Sequence, residues 1–247
     1  MRVLRDELLE MLKEPGIRDD ELRRRLWEAL LEPASPRRMT YEEFLAWANE
    51  DTLAEWVNGE VVITSPAGYR HQDIADFLVS ILRSFAETHQ LGRVLSAPFQ
   101  MKLERSGREP DLLFVAREHL DRLKETHLDG PADLVVEVAS PESLGRDRGE
   151  KFYEYEQAGI PEYWLIDPQR EQAEFYQLDE RGRYRLVWPD AQGVYRSKVL
   201  EGFWLQVAWL WQTPLPTVDE VLLNVGGAAF ARQWIERLRQ HGFLPSS

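Results

Sequence analysis

The run Asp133-Leu134-Val135-Val136-Glu137-Val138-Ala139 constrains the fold more than any other stretch of the chain. Apolar residues without alternation read as a strand covered on both faces, which demands packed layers above and below it. Asp111-Leu112-Leu113-Phe114-Val115 has the same character, and Glu162-Tyr163-Trp164-Leu165-Ile166 returns as a further strand ending at Asp167-Pro168. Between the second and third of these, Arg146 to Ala158 has helical spacing and is terminated by Gly159, with Pro161 beyond. Glu137 is out of place in such a strand, because a buried carboxylate is costly unless it is paired or bound to a cation.

The rest of the chain supplies the layers. From His71 to Gln90, Ile74, Phe77, Leu78, Ile81, Leu82 and Phe85 recur at three- and four-residue steps, a long amphipathic helix ending near Gly92. Thr40 and Glu43 form a capping-box pattern ahead of a short helix. Ala54 to Val57 and Glu60 to Ile63 flank Asn58-Gly59, a pair suited to a type I′ turn, so they read as a hairpin. Phe99, Met101 and Leu103 alternate with polar residues as a half-buried strand, and Ser106-Gly107 reads as the turn into the Asp111 strand. Ala116 to Leu128 is charged and reads as partly helical. After Asp167 the signals become antiparallel and predict a β annex. Phe203 to Trp211, apolar on both faces, belongs either to the core or to a subunit contact. These readings divide the chain into an N-terminal helical extension over 1–36, a core with its annex over 37–212, and a C-terminal tail over 213–247, helical from about Ala228 to Gln240.

The chain has no cysteine, so thiolate chemistry, thiolate metal sites and disulfides are excluded. No apolar stretch approaches the roughly 20 residues that a hydrocarbon core requires, and the start lacks a continuous apolar region, which together predict a cytoplasmic protein. A net charge of −13 argues against a broad electrostatic grip on nucleic acid and leaves room for a local one. Almost all of the acid excess falls within 37–212, where crowded carboxylates repel unless a cation joins them, and this motivates a search for a divalent-metal site.

Three ionisable residues meet that description. Asp111 and Glu137 converge on one hard cation if their strands are neighbours, a donor set that suits Mg²⁺ with water and phosphate in its other positions. Lys151 follows Glu137 by fourteen residues and shares a helix face with Asp147, Tyr155 and Ala158. An ammonium there could orient an attacking water or neutralise charge at a phosphorane-like transition state. Each residue also has a plainer reading: a buried ion pair for Glu137, a strand-start cap for Asp111, a solvated partner of Asp147 for Lys151.

On these residues the sequence resembles the PD-(D/E)XK nuclease superfamily, and within it a bacterial branch of Uma-type endonucleases. The matching features are Met39-Thr40-Tyr41-Glu42-Glu43-Phe44, Asn58-Gly59-Glu60, Glu109-Pro110-Asp111-Leu112, Glu137-Val138-Ala139-Ser140-Pro141-Glu142-Ser143 and Gly159 to Asp167. The resemblance implies an α/β fold, a restriction-endonuclease-like mixed sheet flanked by helices. It implies that Asp111 and Glu137 hold Mg²⁺ or Mn²⁺, with the Val138 carbonyl as a third ligand. The superfamily's usual lysine lies two residues after the acidic ligand; Ala139 stands there, and Lys151 would replace it from the following helix. An upstream acid is also common in the superfamily. Glu60 is the candidate, with Glu55 its competitor because a two-residue hairpin puts both on one face. His71, at the start of the long helix, would contact a phosphate or a metal-bound water.

The resulting expectation is a metal-dependent endonuclease acting on nucleic acid, DNA first, as a homodimer. Its rivals are a scaffold that keeps the fold without turnover and a hydrolase of small phosphate esters.

Overall fold

The computed structural model describes residues 38–48, 52, 54–63 and 67–245. The helical extension expected over 1–36 lies outside the described residues. Along the chain come α1 (Tyr41–Trp47), β1 (Ala54–Val57), β2 (Glu60–Ile63), α2 (Tyr69–Thr88), β3 (Gly92–Ser96), β4 (Gln100–Lys102), β5 (Ser106–Arg108) and β6 (Leu112–Ala116). A 3₁₀ turn (Arg117–Arg122), β7 (His127–Asp129), β8 (Leu134–Val138), α3 (Leu144–Arg146), a π-helical turn (Asp147–Lys151) and α4 (Phe152–Ala158) follow. The chain continues through β9 (Glu162–Asp167), β10 (Gln172–Leu178), β11 (Tyr184–Leu186), β12 (Val194–Arg196), β13 (Trp204–Gln206), a 3₁₀ turn (Val207–Trp211), α5 (Val218–Val225) and α6 (Gly227–Gln240).

The strands form a six-stranded sheet ordered β11-β10-β9-β8-β6-β3, a five-stranded sheet ordered β2-β1-β5-β4-β7, and a β12-β13 ribbon. In the larger sheet β8 and β9 are parallel and the other pairs antiparallel. This is the mixed sheet flanked by helices expected from the sequence. Period-two alternation splits β8 between two cores. Leu134, Val136 and Val138 meet Ile74, Leu78, Ile81 and Phe85 of α2 on one face, while Val135 and Ala139 meet Tyr155 and Ile160 on the other. Glu137 shares the parity of Val135 and Ala139, so it points toward the face that carries α4.

Local signals are realised closely. Thr40 Oγ1 accepts from Glu43 N at 3.1 Å while Glu43 Oε2 accepts from Thr40 N at 2.8 Å, closing the capping box of α1. The hairpin pairs Val57 with Glu60 and Glu55 with Val62, and Asn58 and Gly59 take φ of 50° and 89°, as a type I′ turn requires.

Four elements differ from the sequence reading. Ser106-Gly107 is no turn; with Arg108 it forms β5, a buried strand between β1 and β4, and a Cβ on Gly107 would lie 2.3 Å from the Tyr41 ring. Turn-like composition here reflects a close approach of side chains to backbone. β10 and β11, expected in an annex, extend the main sheet, because Asp167 to Gln172 folds β10 back along all of β9; only β12-β13 stands apart. The helix expected from Arg146 is interrupted by the π turn at Asp147–Lys151. Finally, α5 precedes the expected tail helix, with its own capping box between Thr217 and Glu220. Of the aromatic run, Phe203, Leu205 and Leu210 are in the core and Trp204, Trp209 and Trp211 pack against it, so this segment is used within the chain. Among the described residues no helix is long and apolar enough to cross a membrane.

Candidate functional site

Register brings the two acids together. In the β6-β8 ladder Leu112 lies opposite Val136 and Leu113 opposite Val135, so one further step sets Asp111 opposite Glu137. Asp111 Oδ2 accepts from the Val138 amide at 2.6 Å, fixing that carboxylate to the end of β8. His71 Nε2, from the first turn of α2, lies 3.3 Å from the same oxygen. Burial disfavours the imidazolium, but Asp111 outweighs it and holds the His71 pKa above its usual value. His71, expected to contact a phosphate or a metal-bound water, engages the Asp111 carboxylate and stands in the wall of the same cleft.

Glu137 is buried and its Oε1 accepts from Lys151 Nζ at 2.9 Å and from the Tyr155 hydroxyl at 2.7 Å. Steps of four along the helical segment after α3 carry both donors to one face, which is why they meet the same oxygen. The Lys151 ammonium also lies 3.3 Å from Glu55 Oε1 and 3.5 Å from Asp147 Oδ1. Burial opposes its charge, yet Glu137, Glu55 and Asp147 prevail and raise its pKa. Burial pushes Glu137 up to about 8; Lys151 opposes this, and the Asp147, Asp111 and Glu55 charges reinforce it. Three carboxylates, Glu137, Glu55 and Asp147, thus surround the one ammonium of Lys151.

Two kinds of buried carboxylate coexist in this chain. Glu162, fully buried at the start of β9, has both oxygens saturated: Oε1 by Trp164 Nε1 and the Tyr195 hydroxyl, Oε2 by Ser197 Oγ and the amides of Lys198 and Val199. That is how a structural carboxylate is accommodated. By contrast, among the described residues nothing donates to Oε2 of the buried Glu137, nor to Oδ1 of the half-buried Asp111. Both residues line a cleft of about 990 Å³, with Glu55, His71, Glu109, Val138, Arg146 and Lys151 also in its wall.

Glu60 is not brought into this cleft. It sits half-exposed beside the hairpin turn, 3.7 Å from Arg38. Glu55, two pairs further from the turn on the same face, is buried and reaches Lys151. Among the described residues no three His, Asp or Glu side chains form a ready cage for an ion. Two carboxylates with open oxygens remain, a set suited to Mg²⁺ or Mn²⁺ completing its shell with water and phosphate.

A family model described as "Uma2: Putative restriction endonuclease" matches residues 41–208, more than half of the chain. The chain belongs to the Uma2 family. A solved structure of a "putative nuclease belonging to DUF820" from Anabaena variabilis ATCC 29413 resembles this Uma2 chain with a TM-score of 0.59 and 18% identity, over 70% of this chain and 97% of that one. At that identity the likeness shows a shared fold alone. A comparison with curated proteins finds no match.

Sequence reasoning about this Uma2 chain missed two members of its cluster. Asp147, 1% exposed, appeared only as a helical partner of Lys151. Arg108, also 1% exposed, gave no signal beyond its place two residues before Pro110.

Proposed function

We propose that this Uma2 protein is a divalent-metal-dependent endonuclease that hydrolyses phosphodiester bonds of nucleic acid, DNA in particular. The observation that carries the reading is the cross-strand pair Asp111 and Glu137, each with an open oxygen, in a cleft shared with the Lys151 ammonium. Asp111, Glu137 and the Val138 carbonyl would hold Mg²⁺ or Mn²⁺. When bound, the ion supplies Lewis acidity toward the phosphoryl oxygen and a lowered pKa for water.

The chain's own groups divide the remaining work. Val138 N and His71 orient Asp111. Lys151, kept charged by its three acids, would face the attacking water and offset charge building on the phosphoryl oxygens. Arg146 lines the cleft and has no side-chain partner among the described residues, which leaves it for a substrate phosphate. Glu55 takes the place in the cluster that the sequence reading gave to Glu60. A homodimer follows if both strands of a duplex are cut, since each cut needs one such cleft; sedimentation showing only monomer at high concentration would remove that part.

A second reading, a binding protein with this fold and no turnover, is favoured by Ala139 at the usual lysine position and by the engagement of Lys151 with three carboxylates. One experiment separates the two. Supercoiled plasmid, single-stranded DNA and RNA are incubated with purified protein and Mg²⁺, Mn²⁺ or chelator, beside Asp111→Ala and Glu137→Ala. Metal-dependent cleavage lost in both variants, with circular dichroism unchanged, supports the nuclease. Metal binding without cleavage of any substrate supports the binding protein.

A further inference from the structure

Arg108 belongs to β5 in the five-stranded sheet, away from both strands that carry the acid pair, yet it is tied to the segment that carries Lys151. Its Nη1 donates to Glu55 Oε2 at 3.1 Å, its Nη2 to Glu150 Oε1 at 2.6 Å, and its Nε to Glu154 Oε2 at 2.8 Å. Ser106, on the same strand, donates to the other oxygen of Glu154. Glu55 splits its oxygens: Oε2 faces Arg108, while Oε1 faces Lys151 at 3.3 Å and accepts from Glu109 N at 3.2 Å. Glu150 and Glu154 stand one residue before and three after Lys151. The contacts form a closed circuit from Arg108 through Glu55 to Lys151 and back along the helical segment through Glu150 and Glu154.

We infer that Arg108 is a positioning residue: acting through Glu55 and the Glu150/Glu154 segment, it holds the Lys151 ammonium between Glu137 and the cleft. This rests on the nuclease reading above. Three features favour positioning over a purely structural ion pair. Stability alone gives little reason to keep a buried guanidinium, because a buried ionic group exchanged for well-packed apolar residues is often neutral or stabilising. The fork of a guanidinium fixes direction as well as charge, which a point-charge ammonium does not. Moreover, Lys151 has three acids within 3.5 Å, so its direction toward any one of them depends on where the others are anchored. Arg108 anchors Glu55, and Glu55 is also the acid that the Glu109 amide fixes just before Asp111.

The test uses Arg108→Lys, Glu55→Gln and the double variant in the full chain, with Asp111→Ala as a control. Cleavage is measured at saturating metal, and the Lys151 side-chain ammonium is followed by ¹H–¹⁵N NMR, its signal assigned by loss in Lys151→Met. Both single variants should lower kcat by about 100-fold, the scale of a small misplacement of a reacting group, with KM little changed. The double variant should lose no more than the worse single one, because both act through one path. The ammonium signal, protected in the parent, should broaden in each. Full additivity, or parental kcat per folded molecule with a retained ammonium signal, overturns the inference. If Arg108→Lys does not fold, Glu55→Gln carries the test alone. If Asp111→Ala cleaves as the parent does, or the parent cleaves nothing, the nuclease reading has failed instead, and a retained ammonium signal in Glu55→Gln then overturns the positioning separately.

Discussion

Lys151 Nζ stands 2.9 Å from Glu137 Oε1, although Lys151 comes from the helical segment after β8 and Glu137 from that strand's interior. The contact uses one oxygen of the carboxylate and leaves the other open, in contrast to Glu162, whose two oxygens are both saturated by neutral donors. An isosteric neutral substitution should therefore separate function from fold. Glu137→Gln and Asp111→Asn keep shape and an acceptor oxygen, so melting temperatures should stay near the parent's. Metal-dependent cleavage should fall by a factor of about 100 or more, since even groups that only support a metal ligand cost about 10–100-fold when removed. A plasmid nicking assay beside calorimetry checks both halves, and retained cleavage in either variant counts against the assignment.

The metal-free protein should lose stability as the pH rises. Burial first, then the neighbouring Asp147, Asp111 and Glu55 charges, push Glu137 up to about 8 from an ordinary 4.5. The folded state therefore keeps a proton that the unfolded chain releases above pH 4.5. With more protons bound in the folded state, that stabilisation is complete below pH 4.5 and is lost as the pH rises through 8, at no more than about 1.4 kcal/mol per pH unit. Glu55 has the opposite sign: burial would raise its pKa, but Lys151 and Arg108 hold it below the usual value, so its contribution is lost on acidification below pH 4.5. Denaturant titrations in chelator between pH 5 and 8.5 should show the decline, and Glu137→Gln should flatten it. An equal slope in that variant assigns the effect elsewhere.

Much of this arrangement is legible in the sequence because it rests on short-range rules. Asn58-Gly59 fixes the hairpin register, and the apolar runs around Asp111 and Glu137 identify interior strands. The four-residue steps from Asp147 to Lys151 and Tyr155 give a common face, although the backbone reaches it through a π turn. What stayed hidden depends on how the two sheets meet. Hairpin parity places Glu55 and Glu60 on the same side, yet only tertiary packing decides that the end near Ala54 is covered while the tip stays open. Arg108 was hidden for the same reason: its partners Glu55, Glu150 and Glu154 lie 42 to 53 residues away and no local pattern links them.

Ser106-Gly107 illustrates a misread signal with a direct test. A Cβ at Gly107 would sit 2.3 Å from Tyr41 Cε2 and 2.5 Å from Gln100 Oε1, closer than side chains tolerate. Gly107→Ala should therefore cost about 1–3 kcal/mol by overpacking. Thermal unfolding should show the loss, and Gly145→Ala, which meets nothing within 4 Å, serves as the control. Equal melting temperatures for the two variants would show that α1 moves aside freely.

Arg146 should act on substrate binding rather than on the chemical step. It lines the cleft on the short helix after β8, next to the turn in which Ser140 and Ser143 bond each other's amides, and no described acid neutralises it. In a cleft otherwise rich in carboxylates, a free guanidinium is the group that offsets repulsion of an incoming phosphate. Removing one charge-assisted hydrogen bond is worth about 1.5–3 kcal/mol, so Arg146→Ala should raise KM by about tenfold or more with kcat little changed. Affinity measured by fluorescence anisotropy, in Ca²⁺ to suppress cleavage, should also become less sensitive to salt, its logarithmic slope falling by about one. A drop in kcat at constant KM would place Arg146 at the reacting phosphate instead, and parental values for both would leave substrate recognition to residues other than Arg146.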